Sequence, residues 1–181
     1  MSRIIDACCT INLYAAGNML TLLPALGTEW HITENVITET QYIRKVDPDD
    51  PTKLVKDLID LRPALDAGVL RSCTATEDEL ASFVELAVLL DDGEAMCLAI
   101  AQSRGWRLAT DDRKARRIAK ERGVSLLSTP ELVKQWATTT AADEAEVSRT
   151  LVNIQTYARF RPNSSLPEVD WWLATVAKAS P

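Results

Sequence analysis

Apolar residues in this chain fall into short runs separated by polar punctuation, with the periods of strands and helices in alternation. Ile4, Ile5, Ala7 and Cys8 surround a single carboxylate, Asp6, and read as a first, buried strand over residues 3–8. Residues 10–26 are mostly apolar at helical spacing, interrupted by Gly17-Asn18 and by Pro24. Residues 31–33 suit a short second strand. A helix is expected over 34–45, ending before Asp47-Pro48-Asp49-Asp50-Pro51, and another over 52–66, interrupted by Pro63. Residues 69–73 form a third strand candidate. Thr76 and Glu79 have capping-box spacing and open a helix to about residue 90, after which Asp91-Asp92-Gly93-Glu94 starts another, to about 103. Short strands at 107–110 and 125–127 flank a basic helix over 113–122. Such alternation implies parallel strands covered on both faces: a three-layer α/β/α sandwich over residues 1–136. The remainder, 137–181, has no strand pattern. It is expected to be a helical extension, one helix over 141–160 and a last one carrying Trp171-Trp172.

Composition narrows the chemistry. The 181 residues suit one domain with a short appendage, and 46% apolar content supports a real core. No run approaches the ~20 apolar residues of a membrane helix. The start has too short an apolar run for a signal peptide, which leaves the cytoplasm as the expected location. Cys8, Cys9, Cys73 and Cys97 lack zinc-site or disulfide spacing and are expected to be reduced core residues. The lone His31 excludes sites built on several histidines, and no Gly-x-Ser-x-Gly elbow or phosphate-binding glycine loop is present. Chemistry must therefore lean on the 26 carboxylates. The net charge of −6 looks wrong for a nucleic-acid partner, yet eight of the 20 basic residues lie between Arg104 and Arg122.

Four places hold carboxylates where a surface charge is not expected. Asp6 sits inside an apolar run, so it ends the strand at a cleft, binds a partner or caps the next helix. Glu39 has Val36 and Ile43 at helical spacing, which puts it on an inward face. Glu94 opens a segment apolar around its whole circumference. Asp111 and Asp112 follow the strand ending at Thr110, and two adjacent acids exceed what one helix cap needs. Clustered carboxylates repel unless a cation compensates, and hard divalent cations prefer such oxygens.

The order Ile-Ile-Asp6, Val36-Ile-Thr-Glu39, Gly93-Glu94-Ala and Leu-Ala-Thr-Asp-Asp112-Arg resembles the PIN-domain ribonucleases, most closely their VapC-like branch. The resemblance implies a five-stranded parallel sheet and one or two Mg²⁺ or Mn²⁺ ions. It makes Asp6, Glu39, Glu94 and Asp112 the four acids, with Asp111 an adjacent metal candidate. It implies hydrolysis of RNA by a metal-activated water, as in the toxin of a toxin–antitoxin pair, with an antitoxin and a second copy of the chain as partners. Thr110, Arg113, Lys114, Arg116 and Arg117, beside the fourth acid, are the expected RNA contacts. Cys8 departs from the Ser, Thr or Asn often found two residues after the first aspartate, which puts a polar contact in doubt. The competing reading is a catalytically degenerate PIN-like module that acts by binding a protein partner. Phosphatase and receiver-domain readings fail because Asp6 is followed by Ala-Cys-Cys-Thr and stands alone in the first strand.

Overall fold

The computed structural model describes residues 2–178. β1 (Arg3–Ile5) leads into α1 (Ala7–Ala15), and after Gly17-Asn18 comes α2 (Met19–Ala25). β2 (Trp30–Ile32) and the short α3 (Glu34–Glu39) follow. A hairpin of β3 (Tyr42–Val46) and β4 (Leu54–Leu58) precedes α4 (Arg62–Asp66) and β5 (Arg71–Ser72). Two packed helices, α5 (Glu77–Ala87) and α6 (Asp92–Arg104), lead to β6 (Arg107–Ala109), α7 (Arg113–Glu121) and β7 (Leu126–Leu127). Then come α8 (Thr129–Thr140), α9 (Glu144–Tyr157) and α10 (Val169–Ala177).

Five strands form one sheet in the order β5-β2-β1-β6-β7, every pairing parallel. A parallel sheet needs cover on both faces, and its central strands are accordingly largely buried, while the two residues of the edge strand β5 are exposed. Ile4, Ile5, Ile32, Leu108 and Leu127 are buried against Leu13 of α1, Leu98 and Ile100 of α6, and Leu132 and Val133 of α8. The expected three-layer α/β/α sandwich with a five-stranded parallel sheet is what the chain adopts. α6 is buried from Ala95 to Ala101, as its all-round apolar sequence requires, and Gly105 at φ 65° provides the left-handed turn that ends it. Leu151 and Ile154 of α9 and Trp172 of α10 belong to the same apolar cluster as the strands.

Strand order sets the position of the site. β2 and β5 lie to one side of β1, β6 and β7 to the other. The carboxyl ends of β1 and β6 therefore flank a topological switch point, where the connections diverge and leave a crevice.

Two expected helices are not formed as such. Helix 34–45 stops at Glu39, because Thr40 takes ψ 81°, and residues from Tyr42 pair as β3 with β4 inside the expected helix 52–66. The Asp47–Pro51 stretch is thus a hairpin loop rather than a link between helices, closed by the Asp47 N–H donating to the Lys53 carbonyl at 2.9 Å. Tyr, Ile and Val favour the pleated form, and Ile43 buries itself beneath the ribbon. α8, which the sequence reading left unassigned, is capped by Ser128 and anchored by Leu132, Val133 and Trp136.

Candidate active site

Each acidic group at the crevice is placed by a helix terminus. Asp6 follows β1 directly and is the N-cap of α1, its Oδ1 accepting the Cys9 N–H at 2.8 Å. Its own N–H donates to the Ala109 carbonyl of β6 at 3.1 Å, which brings the ends of the two strands together. Asp112 caps α7 in the same way, accepting the Ala115 N–H at 2.8 Å. Glu94 lies in the first turn of α6. All three carboxylates thus sit where helix dipoles favour negative charge. Glu39 ends α3 and accepts the Gly93 N–H at 2.8 Å, next to Glu94. Sequence spacing placed it inward by a helical relation to Ile43; the actual cause is the chain turn after α3, which aims it at the start of α6.

These groups act on one another. Asp6 is only 1% exposed, and burial pushes its carboxyl up to about 6 against hydrogen bonds from Thr110, the Cys9 N–H and Cys8. Burial, then the charges of Asp112, Asp6 and Asp91, push Glu94 up to about 7. Glu39 is raised by burial and then by Asp91 and Asp92, against the Gly93 hydrogen bond. Among the described residues, no lysine or arginine lies within salt-bridge distance of Asp6, Glu39, Glu94 or Asp112. The crevice is an uncompensated negative site.

Asp111 behaves differently from its neighbour. Its carboxylate accepts from the Thr129 N–H at 3.0 Å, Asn12 Nδ2 at 3.0 Å, the Cys9 thiol at 3.2 Å and the Thr129 hydroxyl. Four donors occupy it, so Asp111 ties α1, the β6–α7 turn and α8 together, and Asp112 is the acid with the freer oxygens.

All four cysteines are free, and Cys9 and Cys97 lie in the core with Cys8 and Cys73 packed against it, as expected; Cys8 and Cys9 also make polar contacts at the crevice. The Cys8 thiol donates to Asp6 at 3.0–3.1 Å and accepts the Asp111 N–H at 3.2 Å. A hydrogen bond with Cys9 pulls the Cys8 thiol down, but burial and the charges of Asp6 and Asp111 outweigh it and push it up to about 11. Cys8 therefore stays protonated and supplies the polar contact that its substitution for Ser or Thr had put in doubt. Asp6, Cys8 and Cys9 each offer an atom within 4.8 Å of the others. Among the described residues, Asp6, Glu94 and Asp112 do not offer oxygens that all lie within 4.8 Å of one another, although carboxylate oxygens are the donors that hard divalent cations prefer.

A sequence model of the PIN domain matches residues 2–166. The chain belongs to the PIN-domain family. PIN domains are generally nucleases and generally use divalent metals. Among solved structures, a PilT N-terminus domain protein from the hyperthermophilic archaeon Sulfolobus solfataricus P2 is similar at 19% identity, covering 79% of this chain and 97% of that one with a TM-score of 0.46. No curated protein matches. No helix among the described residues is long and apolar enough to cross a membrane.

The positions grouped in the sequence as RNA contacts of this PIN domain divide in two. Arg113, Lys114 and Arg117 are exposed on α7, Arg117 in an ion pair with Glu121 at 2.9 Å. Thr110 is fully buried, its hydroxyl accepting the Asp112 N–H at 3.2 Å. Arg116 donates to the carbonyls of Thr110 at 2.7 Å and Leu127 at 2.8 Å. Both have internal partners that hold the β6–α7 turn, the segment that carries Asp112. Sequence reasoning passed over Cys9, Asn12 and Thr129, and flagged Cys8 only as a departure that put a polar contact in doubt. The one available signal was Asn12, a polar residue among buried positions of α1.

Gly93 is needed for contact rather than for backbone freedom. A Cβ there would meet Glu39 Oε2 at 2.2 Å. The far end of a glutamate can swing away, so Gly93→Ala is expected to fold with a stability loss of only about 1 kcal/mol. Any RNA cleavage carried by the acidic crevice should nonetheless fall at least about tenfold, as Glu39 loses its place. Melting curves together with cleavage rates separate the two effects.

Proposed function

We propose that this PIN domain is a metal-dependent endoribonuclease, with Asp6, Glu94 and Asp112 holding Mg²⁺ or Mn²⁺ and Glu39 completing the acidic site. The observation that carries this reading is the placement of three carboxylates at helix N-termini around the β1–β6 switch point, where burial and then the charges of Asp112 and Asp6 lift Glu94. When bound, such an ion activates a water for attack on a phosphodiester and steadies the leaving oxygen. The protein's own part is orientation. The Cys9 N–H and Cys8 thiol fix Asp6, the Gly93 N–H fixes Glu39, and Asp111 with Arg116 fixes the turn carrying Asp112. Arg113, Lys114 and Arg117, exposed just beyond Asp112, grip phosphates flanking the cut.

The likeness to the VapC-like branch supports a narrower reading: a cytoplasmic toxin that forms a homodimer and is restrained by an antitoxin. Incubation of the purified protein with a labelled RNA pool tests the enzymatic core. Cleavage should need Mg²⁺ or Mn²⁺, stop with EDTA, return on metal addition, and leave 5′-phosphate and 3′-hydroxyl ends. Cleavage that persists in EDTA, or that leaves cyclic phosphates, would sink the reading.

A further inference from the structure

The β3–β4 hairpin and the end of α9 are not used by the acidic crevice, yet a cleft of about 350 Å³ between them reaches Glu39. It is lined by Tyr42 and Arg44 of β3, by Tyr157 and Arg159 at the end of α9, and by Ile11 of α1. Two aromatic rings and two guanidinium groups thus share one opening that begins at a catalytic-site acid. Among the described residues neither Arg44 nor Arg159 has a carboxylate within salt-bridge distance, whereas Lys45 pairs with Asp57 at 2.6 Å and Lys53 with Asp50 at 2.8 Å. Lys56 Nζ lies 4.1 Å from the Tyr42 ring centroid and adds a third cation. Arg159 holds φ 57°, a left-handed conformation that glycine favours after a helix, so a long cation stands where the backbone alone would select a small residue.

We infer that this cleft is the path for single-stranded RNA leading to the acidic site, with Tyr42 and Tyr157 as stacking platforms and Arg44 and Arg159 as phosphate contacts. The inference rests on the endoribonuclease reading for its substrate, and it extends the interface to a part of the chain that the basic helix α7 does not reach. Aromatic faces interleaved with cations are the arrangement that binds unpaired bases, because stacking needs a splayed base and the cations track the backbone. The volume sits at the low end for ligand clefts, about 300–1,000 Å³, which suits one nucleotide at a time rather than a duplex.

Fluorescence anisotropy with a labelled single-stranded RNA, in EDTA so that binding is read without cutting, tests the cleft on the full chain. Arg44→Glu with Arg159→Glu should weaken binding by at least about tenfold and flatten its salt dependence by roughly two counter-ions, since each contact contributes to the slope. The milder Arg44→Gln with Arg159→Gln should move both in the same direction by less. Tyr42→Ala with Tyr157→Ala should weaken binding about five-fold or more while leaving the salt slope unchanged. Arg71→Glu, on the edge strand β5, should bind as the unaltered protein does, as should a duplex RNA with every cleft variant. Cleft variants that bind single strands undiminished, or an unaltered protein that binds none, would overturn the inference. Cleavage by the unaltered protein together with undiminished binding by the variants refutes the cleft and leaves the nuclease. Cleft-dependent binding without cleavage supports the cleft and refutes the nuclease.

Discussion

Glu94→Gln is expected to lower RNA cleavage by about 10²-fold or more while raising the stability of the metal-free protein by on the order of 1 kcal/mol. The two effects share a cause. Glu94 is held up at about 7 first by burial and then by Asp112, Asp6 and Asp91, so at neutral pH its charge opposes the metal-free fold. Glutamine keeps the shape and removes the charge, relieving the fold and weakening the metal site. The sign with pH follows. Between the ordinary carboxylate range and about 7, the native state holds a proton that the unfolded chain has released, so stability falls as pH rises through that window. Asp6, raised to about 6, adds the same slope at its lower end. Thermal melts in EDTA from pH 4.5 to 7.5 check this: the unaltered protein should lose stability across the range, Glu94→Gln much less, and Mn²⁺ should restore it. An unchanged slope in Glu94→Gln would refute the electrostatic origin.

Glu79→Ala is expected to destabilise the fold by about 3 kcal/mol without altering the acidic site. The Glu79 side chain is 1% exposed and receives the Arg104 guanidinium at 2.7 and 2.8 Å, joining the start of α5 to the end of α6. It also accepts the Thr76 N–H at 2.8 Å, completing the capping box. Removing it leaves Arg104 without its partner and reopens the start of α5. The Arg104 hydrogen bonds hold the Glu79 carboxyl below its ordinary value despite burial. Its contribution is therefore full above the ordinary carboxylate range and is lost as pH falls through the depressed value, opposite in sign to that of Glu94. Denaturant unfolding at pH 7 and pH 3 separates them: the cost of Glu79→Ala should shrink at the lower pH. An equal cost at both would mean that packing, not the ion pair, accounts for it.

Much of the sheet was legible because a parallel sheet buries both faces and so writes unbroken apolar runs, as at Ile4-Ile5 and Leu108-Ala109. The capping box at Thr76 was legible because it depends only on near neighbours. The β3–β4 hairpin was not. Its strands carry Arg44, Lys45, Lys56 and Asp57 in a largely exposed ribbon in which only Ile43 is buried, and only the pairing of Tyr42 with Leu58 through Val46 with Leu54 shows them to be strands. Asp6 stood out as a charge in an apolar run. The division of labour between Asp111 and Asp112 did not, because the donors that occupy Asp111 come from Asn12 and Thr129, distant in sequence. Cys8 was legible as a departure at a position that usually carries a polar contact, but not that its thiol keeps that contact, which depends on its standing 3.0–3.1 Å from Asp6.

Cleavage of labelled RNA in Mn²⁺ by the protein and by Asp6→Asn, with both shown to be folded, probes the metal-dependent nuclease most directly. The acidic crevice predicts chelator-sensitive cleavage that falls by about 10²-fold or more in the variant. Equal rates in the two proteins, or no cleavage by either, would contradict it and favour a PIN domain that acts by binding a partner.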